Sequence, residues 1–248
     1  KPVCHDAMIQ TWAAKRFWTD VKVANVGDGY QVHLDGRPVH TPGKTLAALP
    51  NRAMADAMAA EWAAQADTIA PATMPITRLV TIAIDHIVPN RAEVAAKLAA
   101  YGETDLLCYR AAYPPELSQR QITGWDPILT WAAGAFDAQL LPTTGVQPIT
   151  QPPNAIRNLH AQIDKTDTFP LAALRDMVMV AGSLILGLAA AHGRLTPDVA
   201  FDLSRIDEEY QIEHWGNDTE AETAMRARKA QFVTACRFFR LSNPDQGA

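Results

Sequence analysis

The sequence predicts an α+β protein, with a small N-terminal α+β domain built on a β-hairpin or small sheet and a C-terminal all-α orthogonal helical bundle. Three observations carry this. Alanine, the best helix former, occupies 43 of 248 positions. Only within the first fifty residues do apolar and polar side chains alternate with period two. Tyr113-Pro-Pro-Glu116 interrupts the chain, since two successive prolines cannot continue a helix. The domains are therefore expected at 1–113 and 114–248.

Val21–Val26 and Tyr30–Leu34 alternate around Gly27-Asp28-Gly29 and read as a hairpin. Asp35-Gly36-Arg37-Pro38 is a second turn, with a third short strand over Val39–Thr41. The period then lengthens. Asn51–Gln65 is a helix with Met54, Met58 and Trp62 at helical spacing. Ile76–Ile87 places Leu79, Val80, Ala83 and Ile87 on one face, and Arg91–Tyr101 follows as a third helix. Asp105–Arg110 is short and β-prone, with Cys108 a core residue. Beyond the prolines, helices are expected over 117–139, 154–164, 170–191, 197–213 and 218–241. Thr196 caps the fourth of these, with Pro197 at its first position. Gly216 ends it, and Asn217 or Asp218 caps the next.

Composition narrows the function. Net charge is −5, against a general nucleic-acid binder. Cys4, Cys108 and Cys236 lie far apart, which excludes a disulfide framework and a cysteine-based zinc site. The most apolar run, Met177–Ala191, is fifteen uncharged residues, short of the roughly 20 a spanning helix needs. The start, Lys-Pro-Val-Cys-His-Asp, has no signal-peptide character. Pro38–Thr45 superficially resembles a phosphate loop, but Pro38 and Pro42 lack the N–H groups such a loop needs, so it reads as a turn leaving the sheet. His33 and His40 flank a turn and are expected as a surface pair. No catalytic, cofactor or metal set is expected.

Ser204–Gly216 is the most informative stretch. Residues 198–222 hold nine acids and one base, Arg205, whereas 226–240 hold five bases and no acid. On one helix, Val199, Leu203, Ile206 and Tyr210 would form an apolar stripe. Asp198, Asp202, Glu209 and Glu213 would line one flank and Asp207 the other. A dense acidic face is usually a solvated one. Mutual repulsion among nine acids nonetheless favours a use, such as a basic partner surface. Trp62, Trp125, Trp131 and Trp215 are core residues or interface anchors. Two alternatives stay open: an enzyme using Glu209, Glu213 and His214 in a cleft, and an interaction module for another basic protein.

Several stretches together resemble the ATP synthase assembly chaperones of the Atp-twelve type, over roughly residues 15–240. They are Arg16-Phe-Trp18, the Leu34-Asp-Gly-Arg-Pro-Val-His-Thr-Pro42 hairpin, Glu61-Trp62, Met74-Pro-Ile-Thr-Arg-Leu79, Asp105-Leu-Leu-Cys-Tyr-Arg110, Trp125-Asp-Pro-Ile128 and Ser204–Gly216. The resemblance implies a two-domain fold without catalysis or cofactor. It implies a holdase for the unassembled α subunit of the F-one sector, acting as a monomer without nucleic acid or membrane insertion. It also points to the acidic residue after Ser-Arg-Ile, here Asp207 where the family often has Glu, and to Trp62. The partner-binding residues expected are Asp207, Glu208, Glu209, Glu213, Trp215 and Trp62. A bacterial cytoplasm is expected, with a mitochondrial matrix as the alternative if a presequence has been removed.

Overall fold

A computed structural model describes residues 14–145, 147–216 and 219–243. Cys4, Asn217 and Asp218 lie outside them. The chain divides into two compact units, one ending at Pro89 and the other beginning at Asn90.

The first unit is the α+β part. Strands β1 (Val21–Val26) and β2 (Gly29–Leu34) form an antiparallel hairpin in the register Val26↔Gly29. Gly27 takes φ 61°, as the first central position of a type II′ turn requires. At the next turn Asp35 and Gly36 have φ 46° and 80°, the sign pattern of a type I′ turn. The third strand, β3 (Arg37–Pro38), begins two residues before the expected Val39. Strand β4 (Ala48–Leu49) pairs with β2. Val32 and Leu34 point into the core from β2 and are buried.

Helix α1 (Arg52–Ala63) starts where Asn51 accepts the Met54 N–H at 2.9 Å. It buries Met54, Met58 and Trp62. Helix α2 (Pro75–Ile82) is capped from α1: Glu61 accepts N–H bonds from Ile76 and Thr77 at 2.7 and 2.8 Å. Its end winds into a π-helical turn, Ala83–Ile87, so the single helix expected over Ile76–Ile87 is two segments of different pitch.

Helix α3 (Val88–Ala100) begins two residues before this division and lies otherwise in the second unit, which also contains helices α4 (Pro115–Phe136), α5 (Pro153–Asp164), α6 (Thr168–Ala181), α7 (Leu184–Ala191), α8 (Pro197–Leu203), α9 (Ile206–Trp215) and α10 (Thr219–Ser242). A two-residue parallel pairing joins β5 (Tyr109–Arg110) to β6 (Thr143–Thr144). The division expected at 113/114 falls inside this unit, because residues 91–110 are tied to helices downstream of the prolines. Arg91 donates to the carbonyls of Asp164 and Thr166 at 2.9 and 2.7 Å. Asp105, wholly buried, accepts from Ser183 Oγ at 2.8 Å and from the Ile185 and Leu107 N–H groups at 3.1 Å. These long-range bonds outweigh the local break, although Tyr113–Pro114 is cis and ends the segment as expected.

Two expected helices are each split. The run 170–191 breaks at Gly182, where φ is 68°, and Ser183 then caps α7 by accepting from Leu186 N–H. The run 197–213 breaks at Ser204-Arg205. There the Ser204 hydroxyl donates to the Phe201 carbonyl at 2.6 Å. Thr196 and Pro197 start α8 and Gly216 ends α9, as expected. The core is built from α6, α7 and α10, with Met177, Ile185, Phe232 and Phe238 fully buried. Cys108 closes a 3₁₀ turn rather than lying in a strand. Burial pushes its thiol up to about 12. No described helix is long and apolar enough to cross a membrane.

Candidate partner-binding site

The bend at Ser204-Arg205 decides what the acidic stretch can do. It separates Val199, which is exposed, from Tyr210, which is buried, so the continuous apolar stripe expected over 199–210 does not form. Leu203 and Ile206 instead meet α4 at Gly124. A Cβ there would lie 2.9 Å from the Leu203 and Ile206 side chains, which is why glycine suits the crossing. Trp125, on the same turn of α4, is fully buried and donates its indole N–H to the Leu203 carbonyl at 2.8 Å. It is a core residue, whereas Trp131 is half-buried against Phe136.

Most of the acids have partners. Gln121, 1% exposed, accepts the Ala111 N–H at 2.8 Å and donates its amide to Asp207 Oδ1 at 2.6 Å. Asp207 also sits in the first turn of α9, where the helix dipole favours negative charge. Its carboxylate thus ties α9 to α4. Arg205 donates to Glu208 at 2.6 Å. Arg120 grips both oxygens of Glu213 at 2.9 and 2.7 Å, a fork geometry that also lays the guanidinium over the Tyr210 ring. That contact holds Glu213 below the usual carboxylate range and raises Arg120. Lys229 reaches Asp202 at 2.8 Å and Asp198 at 3.4 Å. Besides Arg205, the bases that quench the patch are Arg120 of α4 and Lys229 of α10, and sequence spacing did not pair them with these acids.

Glu209 differs. It makes no ion pair within 4 Å among the described residues, and partial burial beside Asp202 and Glu213 raises its carboxyl above the usual range. Trp215, at the end of the same helix, is 79% exposed. An exposed tryptophan on the same helix as an acid with no ion pair within 4 Å is the feature of this surface that a partner can use. His214 stacks on Tyr210 at 4.1 Å, with its Nδ1 2.8 Å from the Tyr210 carbonyl. The groove at this end is lined by Pro115, Arg120, Gly124, Leu203 and Ile206 and does not include the Glu209, Glu213 and His214 trio.

In the first unit Trp62 is buried, edge-on to Trp18 at 5.2 Å between ring centroids. Loop Thr41–Thr45 is held by Asp85, which accepts from Thr41 Oγ1 at 2.7 Å and from the Gly43 N–H at 2.9 Å. The chain's own carboxylate thus occupies the amide that a phosphate would need. His33 and His40 each bond two residues back, to Gln31 and to the Pro38 carbonyl, and do not pair with one another.

Fold and surface together define a two-unit α+β chain that presents an exposed tryptophan at the end of an acidic helix. Residues 15–133 match the family described as ATP12 chaperone protein. The crystal structure of Atp12 from Paracoccus denitrificans is 45% identical, covers 94% of this chain and 100% of its own, and superposes with a TM-score of 0.89. A protein from Agrobacterium tumefaciens is 38% identical, over 93% of this chain and 86% of its own, with a TM-score of 0.87. The mitochondrial protein atp12 of Schizosaccharomyces pombe is 24% identical over 219 residues, 84% of this chain and 75% of that one. The chain belongs to the ATP12 chaperone family, the chaperones of ATP synthase assembly.

Proposed function

We propose that this protein is a holdase for the unassembled α subunit of the ATP synthase F-one sector, covering its apolar surface until the β subunit takes its place. Exposed apolar surface meant for a neighbour aggregates, and a cover of modest affinity prevents this. Family membership supports the assembly role. On this chain, exposed Trp215 on the same helix as Glu209, which makes no ion pair within 4 Å among the described residues, is the observation that carries the choice of surface. Trp215 supplies contact area, and Glu209, with Glu208 and Glu213 near it, steers basic groups of the client. Asp207 positions the helix through Gln121. Release follows from competition by β. A bacterial cytoplasm fits the identity with the Paracoccus protein.

The test is capture of isolated α or β subunits by the tagged chain, alongside Glu209→Lys and Trp215→Ala. Both residues are exposed, so these variants should melt like the unmodified protein. The expected result is capture of α alone, suppression of its aggregation, release on adding β, and weaker capture by each variant. Capture of neither subunit overturns the chaperone assignment to α. Undiminished capture by both variants overturns the surface.

A further inference from the structure

The first unit carries an open cleft of about 210 Å³ between the Thr41–Pro42 loop, α1 and α2. Met58, Trp62, Ile69, Met74 and Val80 form its apolar wall. All five are buried, so the floor of the cleft is apolar.

The walls of this cleft are fixed by hydrogen bonds. Asp85, in the π-helical turn, pins the loop on one side through Thr41 and Gly43. Glu61 fixes the start of α2. Gln65, 4% exposed, accepts the Ala70 N–H at 2.7 Å and donates to Thr73 Oγ1 at 3.1 Å, which fixes the Ile69–Met74 wall. Three polar side chains therefore set the spacing of the walls before anything enters. The Trp62 indole N–H, on the same wall, finds no acceptor among the described residues. A π-helical turn and an unsatisfied buried donor are both departures from economical packing that cluster at functional sites.

Size and charge select the occupant. Pockets for drug-sized ligands and cofactors measure roughly 300–1,000 Å³, and a cavity of about 150 Å³ already admits benzene. The volume here therefore suits one large side chain rather than a cofactor. Arg78 and Asp85 balance one another in charge around the cleft, which favours an uncharged occupant.

We propose that this cleft receives a single large apolar side chain, leucine, methionine or phenylalanine, from the client subunit. The proposal rests on the holdase reading and gives it a second contact, formed by Trp62 and its neighbours.

The experiment uses the full chain labelled at its methionine methyls. N-acetyl-leucinamide and N-acetyl-phenylalaninamide are titrated in, with N-acetyl-lysinamide as control. The apolar amides should shift the Met58 and Met74 methyl signals, and the lysine amide should not. Ala47→Phe, which fills the cleft from a buried lining position, should abolish the shifts and weaken α-subunit capture by about tenfold or more. Thr81→Trp fills it from a half-buried position on α2 and serves if the first variant melts early. Absence of methyl shifts, or undiminished capture by a folded plugged variant, overturns the proposal. If the unmodified protein captures no α subunit, the holdase reading fails by itself, and the amide titration still decides the cleft.

Discussion

Asp105 makes the stability of this protein depend on pH in an unusual direction. Its carboxyl is wholly buried, and desolvation pushes it up to about 6 from its ordinary 3.8, despite hydrogen bonds from Ile185, Ser183 and Leu107 that oppose the rise. An acid whose folded pKa lies above its unfolded one keeps its proton in the folded state while the unfolded chain has lost it. Between about pH 4 and 6 the folded state therefore binds more protons, and stability falls as pH rises. A shift of about two units at 1.36 kcal/mol each places the loss near 3 kcal/mol, complete above about pH 6. The assay is urea unfolding at fixed ionic strength from pH 3.5 to 7.5, on the unmodified chain and on Asp105→Asn. Subtracting the two profiles cancels the carboxylates they share. The stability of the unmodified chain relative to the variant should decline across the window by about that amount. A flat or rising difference profile would refute the argument. It would mean that the three donors, rather than burial, govern the carboxyl.

Two further outcomes follow from packing. Asp207→Ala leaves the amide of buried Gln121 without its acceptor and should destabilise the second unit by about 1–3 kcal/mol, read as a lowered melting temperature. Glu209→Lys should leave the melt nearly unchanged, and equal losses in both variants would remove the distinction between a tie and a contact. Gly43→Ala would place a Cβ 2.7 Å from Asp85 Oδ1, so that carboxylate must release the loop. The cost is about 1–3 kcal/mol. In an Asp85→Ala background it should largely vanish, and additivity of the two changes would sink the explanation.

Much of the fold was legible because local chemistry wrote it. Asp35-Gly36 specifies a tight hairpin turn wherever it lies, since its backbone accepts positive φ. Asn51, Thr196-Pro197 and Gly216 mark helix ends by bonds made within a few residues. The acidic stretch was equally visible as a density of charge. What was not legible was its compensation. Arg120 and Glu213 are 93 positions apart, Gln121 and Asp207 86, and Lys229 lies 27 beyond Asp202. No periodicity links such pairs, so nine acids looked unpaired when most were bound. The same limit moved the boundary between the units. A Pro-Pro break is a local signal, whereas the bonds of Arg91 and Asp105 span 73 and 78 residues.

The sequence by itself therefore determined the hairpin, most helix starts and turns, the helical weight of the chain and the family to which it belongs. These rest on interactions within one or two helical turns and on residue types in order. Tertiary structure alone decided which side chains remain available to a partner. It buried Trp62 and Trp125 and left Trp215 in solvent, turned Asp207 into a tie and left Glu209 without a close ion pair among the described residues, and opened the cleft beside Trp62. Availability is what remains after distant segments have taken their contacts, and no local pattern encodes that remainder.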